Sequence, residues 1–273
     1  MPPATQDPSP RHRRAPLGAW VGRAGLRSRR IASAGWPAAL MLLVPLLLLW
    51  RQTLGGQTLV PYDALTIDPV FRDALAARGI DRPQNGLVAD LVFQNAVWKR
   101  FAVDALALGR APLWNPDVLG GLPFLAAGQH SALYPPSLLF AWLGVDRAFG
   151  WHALFTMWLA GVTAFLFGRA LGLGRPASAL LGMAWSSSLL LVANTVFPMI
   201  QAAIAWTPLV LAGIASAARA LDRRGEHGLP TGRAALWLAT TAVATAMVAL
   251  AGHAEMLYYA GLVAAAWAVA CAL

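Results

Sequence analysis

Residues 176–218 read PASALLGMAWSSSLLLVANTVFPMIQAAIAWTPLVLAGIASAA, and none of them is charged. An α-helix rises about 1.5 Å per residue and about 20 apolar residues cross a bilayer, so this run is long enough for two crossings. A tight turn over residues 194–198, where Asn and Pro punctuate the run, separates them. Residues 31–50, 148–168, 234–252 and 256–273 are also uncharged. The expected spans are therefore 31–50, 148–168, 176–193, 197–218, 234–252 and 256–273, and the expected fold class is an all-α polytopic membrane protein.

Composition agrees. The chain is 58% hydrophobic and 12% charged, about half the charge of an ordinary soluble domain. The net charge of +9 raises the question of nucleic acid, but its distribution answers it. Residues 1–30 hold seven Arg and one acid, Asp7; Arg169 and Arg175 follow the second span, and Arg219, Arg223, Arg224 and Arg233 follow the fourth. The long segment 51–147 holds eight basic and eight acidic residues and is neutral. A cytoplasmic N-terminus puts every short basic connection inside, which is the positive-inside pattern. The excess charge is topology, and no basic stripe with interleaved aromatics calls for nucleic acid as a partner. Residues 1–30, rich in Pro, Arg and Ala, are expected to be a disordered basic cytoplasmic tail. The first hydrophobic run is long and lacks an A-x-A cleavage site, unlike a signal peptide. Cys271 is the only cysteine, so an intrachain disulfide is excluded.

The outer loop, 51–147, carries the unusual chemistry. Residues 109–136 are dense in Gly, Pro, Trp, Asn, Gln and His between greasy segments. Such a tract folds as an ordered loop, and irregular backbone near a bilayer is tolerated only where protein or water covers it. Residues 87–109 show helical periodicity and are expected to lie on the membrane surface, with Trp98 and Phe101 at the lipid boundary and Lys99, Arg100 and Arg110 near lipid phosphates. Residues 138–143 are too short to cross and are expected to dip into the interface.

The uncommon polar residues all fall on that outer side: Asp63, Asp68, Asp90, Gln94, Asn115, Asp117, Gln129, His130, Asn194, His253 and Glu255. Ionisable groups at membrane level are costly and often functional. Asp63, at the mouth of a span, suits a general base or a holder of a metal near a phosphate leaving group, or else a helix cap. Asp68 precedes a Pro and suits a turn. Asp90 and Gln94 share a helix face at i, i+4 spacing and either bind hydroxyls or face water. Asn115 can bond its own backbone to start a turn, and Trp114 stacks on a sugar or anchors at the interface. His130 and His253 have no HExxH spacing to support a metal site, and no GxSxG, Walker loop, GxGxxG or CxxC is present.

The run LGRAPLWNPDVLGGLPFLAAGQHSALYPP, residues 108–136, resembles the signature loop of YfhO-like bacterial membrane proteins, which share a G-x-x-P-L-W-N-P … G-x-P-F … Q-S-A … Y-P-P pattern. The pair Asp90 and Gln94, the segment GRALGLGRPASALLGMAWSSS from Gly168 and the motif LAGHAEMLYYAG from Leu250 fit the same family. The likeness covers residues 60–260. His130 beside Gln129, and Glu255 where Gln is common, depart from it. The resemblance implies a GT-C-type glycosyltransferase: a helix bundle in the bacterial inner membrane with a long first extracytoplasmic loop containing interfacial helices. Such an enzyme takes a sugar from a polyprenyl-phosphate donor and passes it to a glycan, lipid or protein acceptor. The family's loop acid, a base or a ligand for a divalent cation, falls here on Asp63, with Asp90 second. Arg100 and Arg110 would hold the lipid phosphate. Gln94, Trp114, Asn115, Gln129, His130, His253 and Glu255 would contact substrate. Family members are longer, so the chain is expected to be the N-terminal part of a larger protein. The rival reading is a non-catalytic transporter, lipid flippase or assembly scaffold. Transport calls for ionisable residues at mid-membrane, and the span interiors have almost none.

Overall fold

The computed structural model describes residues 35–222 and 232–273. The expected tail 1–30 and most of the basic loop 219–233 lie outside those residues. Among the described residues, six helical segments are long and apolar enough to cross a membrane, which fits a multi-pass protein in contact with lipid.

The first is α1 (Gly35–Thr53), which contains Pro45 and departs from helical geometry at Leu49. A loop-end cap follows. It comprises a 3-10 turn (Tyr62–Ile67), α2 (Pro69–Ala76), a 3-10 turn (Gly86–Val88), a π-turn (Leu91–Asn95), α3 (Ala96–Ala107), the strands β1 (Trp114–Asn115) and β2 (Leu122–Pro123), α4 (Phe124–Ala127) and α5 (Leu138–Leu143). The second span is α6 (Val145–Ala170). The third is composite: α7 (Arg175–Ser186) stops and α8 (Leu189–Ala193) resumes. The break has a local cause. Ser186 and Ser187 each donate a side-chain hydrogen bond to the carbonyl of Met183, at 3.0 and 2.6 Å, in competition with the helix ladder. A 3-10 turn (Asn194–Val196) leads to α9 (Pro198–Asp222), and α10 (Gly232–Leu250) and α11 (Ala254–Ala272) complete the bundle. These limits match the six expected spans to within about five residues.

The central helices are α6 and α9, 56% and 67% buried, whereas α11 is 0% buried and presents its surface to lipid or a partner. In a bilayer, close packing and interhelical hydrogen bonds hold helices together, because lipid is as apolar as a leucine side chain. Small residues permit the approach: a Cβ on Gly182 would stand 2.6 Å from the Gly161 carbonyl, and one on Gly213 would collide with the Thr241 hydroxyl. Polar ties cross the same contacts. Thr163 Oγ1 donates to the Ala205 carbonyl at 2.6 Å, Trp158 Nε1 to Ala38 at 3.0 Å, and Trp267 Nε1 to Leu211 at 3.1 Å.

The cap has a different driving force. Val60, Ala64, Leu91, Val92, Phe140 and Phe149 bury one another in a small core that joins it to the top of α6. Each large side chain withdrawn from water there contributes about 1.5–3 kcal/mol. One expected element differs. Residues 87–109 do not form one continuous helix. Asn85 caps a short 3-10 turn by accepting from the Leu87 amide at 3.0 Å, a π-turn follows, and only Ala96–Ala107 is α-helical.

Candidate functional site

The tract 109–136 packs against the ends of α6, α9, α10 and α11, chiefly through Tyr134. Gly109 ends α3 with φ 66°. The chain then forms the hairpin in which Trp114 pairs with Pro123 and Asn115 with Leu122. Gly121, at φ 119°, lies flat under the Trp114 ring, where a Cβ would come within 2.6 Å of the indole. Trp114 is thus pinned by one face while its other side stays exposed. Asn115 is buried, and its Oδ1 accepts from the Asp117 amide at 2.9 Å, the turn-starting bond expected of it.

Beyond the hairpin, Phe124 stacks on His130 with centroids 4.0 Å apart, and Phe101 tilts against Phe124 at 4.7 Å. His130 Nδ1 accepts from the Ala132 amide at 3.0 Å, so the proton sits on Nε2, which donates to the Phe124 carbonyl at 2.6 Å. Both ring nitrogens are therefore committed, and burial pushes the ring below the ordinary histidine range. Ser131 adopts a left-handed backbone with φ 53°. Its hydroxyl donates to the Ala251 carbonyl at 2.6 Å, which stitches the tract to the α10–α11 turn. At the same junction Gly252, φ 89°, packs so closely on Gly128 that a Cβ there would overlap the Gly128 carbonyl. Tyr134 OH accepts from Trp206 Nε1 on α9 at 2.9 Å, and burial pushes the phenol up to about 12.

Lys99 holds the tract from the other side. It is buried rather than at lipid phosphates, with its Nζ donating to the His130 carbonyl at 2.7 Å and to Ser137 Oγ at 3.0 Å and lying 4.7 Å from the Phe140 ring centroid. Burial lowers its amine from 10.5 to about 7. A cavity of about 20 Å³ lies beside it, roughly enough for one water.

The larger feature is a cleft of about 380 Å³ lined by Trp98, Asn115, Leu122, Phe124, Gln129 and His130 among others. That is within the usual size of ligand sites, which are mostly apolar with a few placed polar groups. Trp98 lines this cleft, and Phe101 backs it through its contact with Phe124. Leu119, Leu113 and Trp114 stand exposed in the same hairpin region.

Three of the expected contact residues, Asn115, Gln129 and His130, thus share the cleft, and Trp114 belongs to the hairpin that forms one wall. Others gather elsewhere. Asp63 accepts from the Gln84 amide at 2.7 Å through Oδ2, and Asp68 caps α2 by accepting from the Val70 amide at 2.9 Å. Asp90 precedes the π-turn without a side-chain capping bond, and it and Gln94 are exposed. Arg100 meets Asp146 at 3.5 Å with both side chains about half exposed. Asp146 also accepts from the Tyr62 hydroxyl, which burial and that bond push up to about 12. Arg110 is exposed just past α3. His253 caps α11, its Nδ1 accepting from the Met256 amide at 3.3 Å, and the exposed Glu255 accepts from the Tyr259 hydroxyl at 2.7 Å. None of Asp63, Asp90, His253 and Glu255 lines the cleft. Asn194 donates to the Leu190 carbonyl at 2.7 Å, a local tie.

Lys99, Phe124, Ser131, Ser137, Tyr134 and Trp206 carry the site's architecture, and sequence reasoning did not select them as site residues. One signal was present: Ala96, Lys99 and Ala102 are all buried, and their i, i+3 spacing puts the lysine on the apolar stripe. Among the described residues no group of three or more His, Cys, Asp or Glu could hold a metal ion. The divalent cation implied by the family likeness has no such nest among those residues. Compared with protein-family models, curated proteins and solved structures, the chain finds no match.

Proposed function

We propose that this chain is the membrane domain of a glycosyltransferase. It takes a sugar from a polyprenyl-phosphate donor and delivers it to a cell-envelope acceptor on the extracytoplasmic face of the bacterial inner membrane, with its N-terminus in the cytoplasm. The cleft carries this reading. Its aromatic and amide lining suits a sugar ring, whose faces are apolar and whose hydroxyls seek donors and acceptors. The apolar hairpin residues beside it, Leu113, Trp114 and Leu119, suit a ligand that arrives on a lipid tail.

In this mechanism Asp63, oriented by the Gln84 amide and standing outside the cleft lining, takes the proton of an acceptor hydroxyl that approaches the bound sugar from outside the cleft. The acceptor oxygen bonds to the anomeric carbon, the bond from that carbon to the phosphate oxygen breaks, and polyprenyl phosphate departs with the electron pair. Arg110, exposed at the edge of the tract, holds the phosphate by charge-assisted hydrogen bonds. Arg100 serves the same purpose once released from Asp146, and Asp90 is the alternative base.

A non-catalytic lipid-linked-sugar binder or scaffold has one observation in its favour, namely that the cleft lining contains no carboxylate. Proteoliposomes supplied with a panel of polyprenyl-phosphate sugars separate the two. Transfer that Asp63→Asn abolishes supports the enzyme, and full activity in that variant removes Asp63 from the chemistry. Donor binding without transfer, lost in Asn115→Ala, supports the binder.

A further inference from the structure

Resting on the sugar reading of the cleft, we infer that its occupant is an uncharged sugar, and that uronic acids and free amino sugars are excluded because the cleft walls offer no charge to pair with theirs. The lining consists of apolar side chains, the amides of Asn115 and Gln129, and the His130 ring. His130 cannot act as a cation at low cost. Its Nδ1 already accepts from the Ala132 amide, so a second proton would break that bond in a buried site. The nearest buried cation, Lys99, is not part of the lining; it points its ammonium at the His130 carbonyl, Ser137 and the Phe140 ring. Asp117 is exposed, and its tie to the site is through its backbone amide on Asn115.

With Oδ1 occupied, Asn115 has its amide hydrogens left to offer, a donor suited to a hydroxyl or acetamido oxygen. Gln129 is exposed at the edge and presents both a donor and an acceptor. A neutral polyol can satisfy these groups. A carboxylate or an ammonium set against the buried floor of the cleft, formed by Asn115, Phe124 and His130, loses part of its water and finds no partner of opposite sign among the lining residues, which is unfavourable.

The test uses the full chain in lipid nanodiscs and measures binding of methyl glycosides by saturation-transfer NMR titration. The neutral probes are the methyl glycosides of glucose, galactose, mannose and N-acetylglucosamine. The charged probes are those of glucuronic acid and of glucosamine. At least one neutral glycoside is expected to bind, with the charged ones at least about tenfold weaker. Gln129→Arg puts a cation at the edge of the cleft in place of an amide that meets the sugar, and it is expected to bring the glucuronide level with the neutral probe even though neutral binding itself weakens. Charged and neutral probes binding alike would overturn the charge exclusion while leaving a sugar site in place. A Gln129→Arg variant that gains nothing for the glucuronide would overturn the assignment of this cleft as the place where the discrimination is made. If no glycoside of either class binds, the sugar reading itself fails.

Discussion

Replacing Lys99 with methionine exposes the energetics on which the cleft wall depends. The lysine is buried without a carboxylate partner among the described residues, and its amine falls from 10.5 in the unfolded chain to about 7 in the folded one. At about 1.4 kcal/mol per pH unit, this corresponds to about 5 kcal/mol for carrying the charged form inside. Because the folded value lies below the unfolded one, the unfolded chain binds the extra proton between about pH 7 and 10.5, so stability rises with pH across that window. Below about 7 both states are protonated and the whole cost is present. Methionine has a similar shape and no proton to lose. It forfeits the bonds to His130 and Ser137, worth about 1 kcal/mol each, at every pH.

The difference between wild type and Lys99→Met isolates this one titration from all others. From pH 7 to 9.5 the wild type should gain about 3 kcal/mol on the variant. For a chain of this size that is about 6–12 °C in the Tm difference. The assay is thermal unfolding of both proteins in the same detergent at half-unit pH steps. Near pH 7 the variant should be the equal of wild type or more stable, and near pH 10 clearly less stable. A Tm difference that stays flat from pH 7 to 10 would refute the buried, unpaired lysine.

Gly252→Ala places a Cβ against the Gly128 carbonyl at a left-handed backbone position. It should cost more than about 2 kcal/mol and free the tract from the α10–α11 turn, seen as faster hydrogen exchange at residues 128–134. Thr163→Val removes the bond to the Ala205 carbonyl and should lower stability by about 0.6 kcal/mol in a reversible SDS-unfolding assay, the modest value typical of bonds between spans. Arg100→Ala breaks only an exposed ion pair and should cost less than about 1 kcal/mol. Asp63→Asn keeps an acceptor for the Gln84 amide, so its Tm should stay within about 2 °C of wild type. Any loss of sugar transfer in that variant is then chemical rather than structural.

The spans were legible because a bilayer demands long uncharged runs, a requirement of composition and length alone. The ordered character of 109–136 was legible for a related reason. Its glycines occupy positive φ at 109, 120, 121 and 128, conformations that glycine permits and most residues resist. The Asn115 turn was readable too, since it joins residues two apart in sequence. The helix over 87–109 was less so. Apolar periodicity cannot distinguish an α-helix from a 3-10 turn, a π-turn and a shorter helix laid end to end.

Local chemistry and membrane solvation, then, were written in the order of residues: which segments are apolar, where charge is concentrated, where the backbone must turn. The tertiary structure alone decided the partners. Nothing in the spacing of Ser131 and Ala251, or of Tyr134 and Trp206, announces that they touch. Nor does the sequence say that Asn115, Gln129 and His130 face one cleft while Asp63 and Asp90 stand outside its lining. Lys99 shows the reason most clearly. A lysine on a surface helix reads as solvated, and only the loop folded over it, with one carbonyl, one hydroxyl and one ring around its amine, takes it out of water.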